Sequence, residues 1–302
     1  VIGTRGSKLA LWQTEWVKSQ IEKHHPDLEI EIAIIKTRGD RILDVSLSKL
    51  GEQGKGLFTK ELEDAMLDGR IDLAVHSLKD LPVDFTPGLH LSAVCEREDA
   101  RDALVARAGI NSFAQIPTGS IIGTSSLRRI AQLCAIRPDI KTAMVRGNVD
   151  TRIAKLDAGQ YDALLLAAAG LRRLGHADRI TEYLSQEMMM PAVGQGALGI
   201  ESRIDDRATN EVLRALDHEP TRLACEAERA MLRKLGGGCL VPIAAFARIE
   251  GDLLRLSGLV ASTDGAEIVR GEESGSPSEA AMIGERLAKE LTVRGADRLL
   301  EK

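Results

Sequence analysis

Gly123-Thr124-Ser125-Ser126-Leu127-Arg128-Arg129 follows a short apolar run, Ser120 to Ile122. The run has strand character, the small residues form a turn, and the paired arginines fall on the helix that comes next. The same grammar recurs twice. Lys141 to Val145 leads into Arg146-Gly147-Asn148 and a helix carrying Arg152, and Tyr161 to Ala167 leads into Ala168-Ala169-Gly170-Leu171-Arg172-Arg173. Strand, small-residue turn and arginine-bearing helix, three times over, predict α/β layers around a largely parallel or mixed sheet. In open α/β sheets ligands sit beyond the carboxyl ends of strands, where helix N-termini favour anions. One arginine on a helix is normally a solvated charge. Three sets at equivalent topological points predict an anion site.

The N-terminal third has the same alternation. Ser7 to His24 carries Leu9, Trp12, Trp16, Val17 and Ile21 at helical spacing, with Ser7 as N-cap. Glu29 to Lys36 predicts a strand, Phe58 to Leu67 a helix ended at Gly69, and Ile71 to Val75 a buried strand that breaks into His76-Ser77-Leu78-Lys79-Asp80-Leu81-Pro82. At a strand end, Lys79 beside Asp80 is either a surface pair worth little or, in a cleft, a carboxylate able to accept a proton or stabilise a cation. His76 fits a packing or capping role. Gly51-Glu52-Gln53-Gly54-Lys55-Gly56 lacks phosphate-loop spacing, with Gly56 where the magnesium-binding hydroxyl belongs, and predicts a surface loop or lid.

Met188 to Ala197 is a turn-rich crossover, and the pattern changes from about His218. A helix from Glu219 to Leu235 precedes Gly236-Gly237-Gly238-Cys239; strands near Val241–Arg248, Leu253–Ala261 and Ala266–Arg270 and a helix near Ser278–Leu291 follow. This predicts a small α+β unit with Cys239 in its first turn. Three glycines leave a thiol uncovered, as a covalent anchor needs, but a buried structural cysteine stays equally open.

Composition narrows the function. The 302 residues suit two or three domains, and 44% hydrophobic with 28% charged residues is ordinary for a soluble globular protein. No apolar run reaches the ~18 residues of a membrane span, and no signal-peptide pattern opens the chain. Cys95, Cys134, Cys225 and Cys239 form no Cys-x-x-Cys pair, and the six histidines have no metal-type spacing. We therefore expect no metal, no disulfide framework and a reducing, cytoplasmic setting. A net charge of −5 and 3% aromatics disfavour nucleic acid. Localised arginines in an acidic protein predict a small polyanionic ligand, held one carboxylate or phosphate at a time.

Together these segments resemble the porphobilinogen deaminase (hydroxymethylbilane synthase) family. The matching runs include Gly3-Thr4-Arg5-Gly6-Ser7-Lys8-Leu9-Ala10-Leu11-Trp12-Gln13, Thr37-Arg38-Gly39-Asp40, Lys55 to Glu61, Ala74 to Pro82, Arg97-Glu98-Asp99-Ala100-Arg101-Asp102-Ala103, Gly123 to Arg129, Arg146 to Arg152, Pro191-Ala192-Val193-Gly194-Gln195-Gly196-Ala197 and the Gly-Gly-Cys turn. The resemblance covers essentially the whole chain, in order.

It implies two periplasmic-binding-protein-like α/β domains enclosing a cleft, residues 1–95 with 197–214 and residues 101–190, plus a small α+β C-terminal domain, 218–302. It also implies head-to-tail polymerisation of four porphobilinogen molecules to 1-hydroxymethylbilane with release of ammonia, in tetrapyrrole biosynthesis. The cofactor it implies is a dipyrromethane held by a thioether to Cys239. By the same resemblance Asp80 is catalytic, and Ser77, Lys79, Thr124, Ser126, Arg128, Arg129 and Arg146 bind cofactor. Arg5, Ser7, Gln13, Phe58, Arg146, Arg152, Arg173 and Gln195 are the candidate substrate contacts. The Gly51–Gly56 loop is two residues longer than the family's Gly-Gly-Lys-Gly, so no substrate contact is carried over to Lys55. A monomer without membrane or nucleic-acid partner is expected. Two alternatives are a non-enzymatic two-lobed small-anion-binding module and an enzyme with a free cysteine nucleophile. The latter wants a histidine partner, and His218, the nearest upstream, carries no supporting motif.

Overall fold

The computed structural model describes residues 1–37, 59–237 and 241–300. The chain divides into two compact units, Val1–Glu98 with Ala197–Arg222 and Asp99–Gly196 with Leu223–Lys302.

The first unit is built on β1 (Ile2–Thr4), β2 (Ile32–Ile34), β3 (Leu73–Ser77), β4 (Leu89–Val94) and β10 (Leu198–Arg203), in the sheet order β2-β1-β3-β10-β4. The first three are parallel, and β10 runs antiparallel to both neighbours. Parallel neighbours need crossovers, and the helix Lys8–His24 supplies one between β1 and β2. It starts where Ser7 accepts a hydrogen bond from the Ala10 amide at 3.2 Å, as the sequence predicts. Its Val17 and Ile21 pack with Ile2, Leu73, Val75 and Ile200. On the other face, Leu62, Ala65 and Met66 of the helix Lys60–Leu67 pack with Ile71, Ala74 and Leu89. Alternation along β3 thus feeds two cores.

In the second unit, β5 (Asp102–Ala106), β6 (Ile121–Gly123), β7 (Lys141–Ala143), β8 (Ala163–Ala167) and β9 (Glu182–Tyr183) take the order β7-β6-β8-β5-β9. β6, β7 and β8 are parallel, and β5 is antiparallel to β8 and β9. Position by position this repeats the first sheet. The antiparallel strand enters each sheet in the same way. β5 comes just after the chain leaves the first unit, and β10 just after it leaves the second. The helices Leu127–Ile136 and Val149–Asp157 are the crossovers, and cores around Leu104, Ile122 and Leu165 and around Val105, Leu164 and Leu166 cover the two faces.

The second unit also holds an antiparallel meander of β11 (Ile243–Glu250), β12 (Leu253–Ala261) and β13 (Ile268–Gly275). Met231 of the helix Glu219–Lys234 and Ile283, Leu287 and Leu291 of the helix Ala280–Val293 pack against it.

The three strand–turn–helix units thus form where the sequence predicts them, within a mixed sheet. Three differences stand out. The strand expected at Glu29–Lys36 pairs only over Ile32–Ile34, β13 begins at Ile268 and runs on to Gly275, and β4, β5, β9 and β10 are strands that local sequence does not announce. Among the described residues no helix is long and apolar enough to cross a membrane.

Candidate active site

In the first unit the site is the carboxyl end of β3. The strand breaks into the 3-10 turn Leu78–Asp80, where buried Leu78 donates its amide to the Ala197 carbonyl at 3.0 Å. The turn places Asp80 at the surface of its unit. A pocket of about 70 Å³ is lined by Arg5, Ser7, Gln13, His76, Ser77 and Asp80. Gln13 donates to the Ser77 hydroxyl at 2.9 Å, tying the first helix to the strand end. The pocket therefore combines a guanidinium and a helix N-terminus with a carboxylate, which suits a ligand carrying both signs of charge. At about 70 Å³ it seats part of a ligand rather than the whole of it. Lys79 is half-buried beside it.

In the second unit the arginine pair is not on a solvated face. Arg128 and Arg129 are 5% and 6% exposed. Both converge on Asp102, itself fully buried at the start of β5. Arg128 donates to Asp102 at 2.6 Å and to the Met190 carbonyl at 2.6 Å; Arg129 donates to Asp102 at 2.7 Å and to the Leu165 carbonyl at 2.9 Å. Gln195, also buried, adds a 2.8 Å bond to Asp102 and one of 2.7 Å to the Ala100 carbonyl. Burial alone would push the Asp102 carboxyl up, but the charges and hydrogen bonds of Arg128 and Arg129 outweigh it and hold the group well below the usual carboxylate range. Two guanidiniums against one carboxylate leave one positive charge, and the Nε atoms of both arginines have no hydrogen-bond partner among the described residues. That imbalance fits an anionic group such as the carboxylates of a dipyrromethane.

The turns around this cluster are built as the sequence predicts. Thr124 is buried and its hydroxyl accepts from the Ser126 amide at 3.3 Å. Ser126 caps the helix Leu127–Ile136 in extended conformation and without a side-chain cap bond. Gly147 has φ +107°, and a Cβ there would lie 2.7 Å from Thr151, so only glycine fits the Arg146-Gly147-Asn148 turn. Asn148 caps the helix Val149–Asp157 by accepting from the Thr151 amide at 3.0 Å, and Arg152 braces the turn through the Gly147 carbonyl at 2.8 Å. Arg146 and Arg152 are half-buried. Arg173 donates to the Gly196 carbonyl at 2.7 Å.

The structure therefore brings together Arg5, Ser7, Gln13, Ser77 and Asp80 in one unit and Arg128, Arg129 and Gln195 in the other. Cys239, Phe58, Arg38 and the Gly51–Gly56 loop lie outside the described residues. His218 bonds Thr221 at 2.8 Å at the start of its helix, a capping contact. Sequence reasoning assigned no role to Asp102, although it stands in the Arg97–Ala103 motif, or to Glu201, a buried acid on β10. For Glu201 no local signal existed.

Two family descriptions match the chain: "Porphobilinogen deaminase, dipyromethane cofactor binding domain" over residues 1–211 and "Porphobilinogen deaminase, C-terminal domain" over residues 222–292. The chain is 54% identical to the porphobilinogen deaminase of Pelobacter propionicus over 301 residues, covering 100% of this chain and 96% of that one. It is 53% identical to the Geotalea uraniireducens protein of the same name, covering 99% and 93%. Among solved structures, the periplasmic aliphatic sulphonate binding protein SsuA from Escherichia coli aligns with TM-score 0.41 at 15% identity over 77% of this chain and 68% of that one.

Proposed function

Because the chain belongs to the porphobilinogen deaminase family, we propose that it is a monomeric, cytoplasmic transferase joining four porphobilinogen molecules head to tail into 1-hydroxymethylbilane. The observation that carries this reading is the pocket at the end of β3, where Asp80 faces the same space as Arg5 and the N-terminus of the first helix. Porphobilinogen carries an acetate, a propionate and a protonated aminomethyl group, so it presents both charges such a pocket takes.

When the carbon–nitrogen bond breaks, its electron pair leaves on ammonia and a cation remains on the substrate. The Asp80 carboxylate stabilises that cation. At 4 Å and an effective dielectric of ~20 the attraction is about 4 kcal/mol before solvent screening. Arg5 and Ser7 bind substrate carboxylates, Gln13 holds Ser77 in place, and Phe58, Arg146, Arg152, Arg173 and Gln195 complete the substrate contacts. A dipyrromethane bound through Cys239 supplies the free pyrrole carbon from which the chain is extended. Arg128 and Arg129 offer its carboxylates the positive charge that Asp102 leaves unbalanced, with Ser77, Lys79, Thr124, Ser126 and Arg146 as further contacts. We assign these roles to three domains, residues 1–95 with 197–214, residues 101–190 and residues 218–302.

Incubation with porphobilinogen tests the proposal. One ammonia should appear per porphobilinogen consumed, with a linear tetrapyrrole as product. A small-anion-binding module would bind porphobilinogen and release no ammonia.

A further inference from the structure

His76 in the wall of the Asp80 pocket, and Glu201 in contact with it, are ionisable groups to which the polymerisation reading gives no role. His76 on β3 lies opposite Gly199 of β10, and Glu201 lies opposite Ala74, so the two side chains share one face of the sheet. Their side chains are 6% and 1% exposed, and His76 Nε2 is 3.2 Å from Glu201 Oε2. The contact lacks hydrogen-bond geometry. Neither carboxyl oxygen of Glu201, nor His76 Nε2, has a hydrogen-bond partner among the described residues. A buried carboxyl supported by one imidazole is a poor way to stabilise a sheet, because apolar side chains of similar size do as well or better. It is, however, an arrangement in which the carboxylate orients the imidazole and stabilises it once the ring is protonated and can donate to it. His76 also lines the pocket that Asp80 lines.

We propose that His76 accepts the proton lost from the accepting pyrrole at each addition, with Glu201 as the positioning residue that orients the ring and stabilises its charged form. The proposal rests on the polymerisation reading above. When the new carbon–carbon bond forms, the accepting α-carbon carries both its hydrogen and the added unit. The carbon–hydrogen bond then breaks, its electron pair returns to the pyrrole ring, and the proton moves to the imidazole and on to solvent. No oxidant or reductant takes part. If Asp80 took this proton, its carboxyl would be neutral until it passed the proton on. A separate acceptor leaves Asp80 charged throughout the cycle.

The test uses cofactor-loaded protein, with loading checked by intact mass. Three variants are compared with the wild type: His76→Gln, Glu201→Gln and the double apolar variant His76→Leu/Glu201→Met. Each is measured for thermal unfolding, for kcat and KM, and for the effect of deuterium at the free α-position of porphobilinogen. We expect unchanged loading and KM, a kcat lowered on the order of 100-fold, and a deuterium effect larger than in the wild type. The double variant should unfold no lower than the wild type and still turn over slowly, which a purely structural pair would not produce. A double variant with wild-type stability and wild-type kcat would overturn the proposal, as would loaded single variants with wild-type kcat and isotope effect. A wild-type protein that makes no product would instead overturn the polymerisation reading, and this proposal with it.

Discussion

Asp80→Asn loads its cofactor, binds porphobilinogen with near-normal KM and turns it over at least ~100-fold more slowly, the scale expected when one pre-oriented electrostatic group is removed. The asparagine keeps the shape of the side chain and loses its charge. The turn Leu78–Asp80 is held by the buried Leu78 and its bond to the Ala197 carbonyl, so the substitution leaves the strand end in place. Asp80→Glu retains weak activity, because the charge survives but is displaced by about a methylene. Steady-state formation of hydroxymethylbilane by loaded variants measures both. Near-normal turnover in Asp80→Asn would move the chemistry to another carboxylate.

Asp102→Asn gives the second large effect, on stability. It leaves the guanidiniums of Arg128 and Arg129, both buried, without the one counter-charge they share among the described residues. Removing one partner of a buried pair costs about 3–5 kcal/mol, mostly as the penalty of uncompensated charge. Because the folded Asp102 carboxyl is held below its unfolded value, its contribution is fully present above the ordinary carboxylate pKa of about 3.9 and fades as pH falls through the lower folded value. Denaturant unfolding at pH 7 should therefore separate variant from wild type by that amount, and the gap should narrow as the pH drops below about 4. Equal stability at pH 7 would mean that the two arginines are balanced by something other than Asp102.

Much of this molecule is legible from local sequence, and the parts that are not share a cause. The strand–turn–helix units around Thr124, Gly147 and Gly170 can be read because apolar runs, small-residue turns and, at Gly147, a positive-φ glycine followed by the Asn148 cap act within ten residues of one another. The cap at Ser7 was legible for the same reason. The antiparallel strand inside each sheet was not. Leu198-Gly199-Ile200-Glu201-Ser202-Arg203 has neither alternation nor an unbroken apolar run, and its partners β3 and β4 lie more than 100 residues earlier. The arginines were identified as a functional group, but their counter-charge was missed because Asp102 stands 26 residues before Arg128 on a strand that local pattern does not announce. Burial converts what would otherwise be a solvated charge pair into a fixed feature of the site, and burial is a property of the tertiary fold.

The intact mass of the purified protein tests the central claim most directly, measured for the wild type and for each of its four cysteines replaced singly by serine. A covalently held dipyrromethane adds a fixed increment to the sequence mass. We expect that increment in the wild type and in Cys95→Ser, Cys134→Ser and Cys225→Ser, and its loss in Cys239→Ser together with all activity. An adduct that persists in Cys239→Ser, or an active wild type at bare sequence mass, would contradict the account.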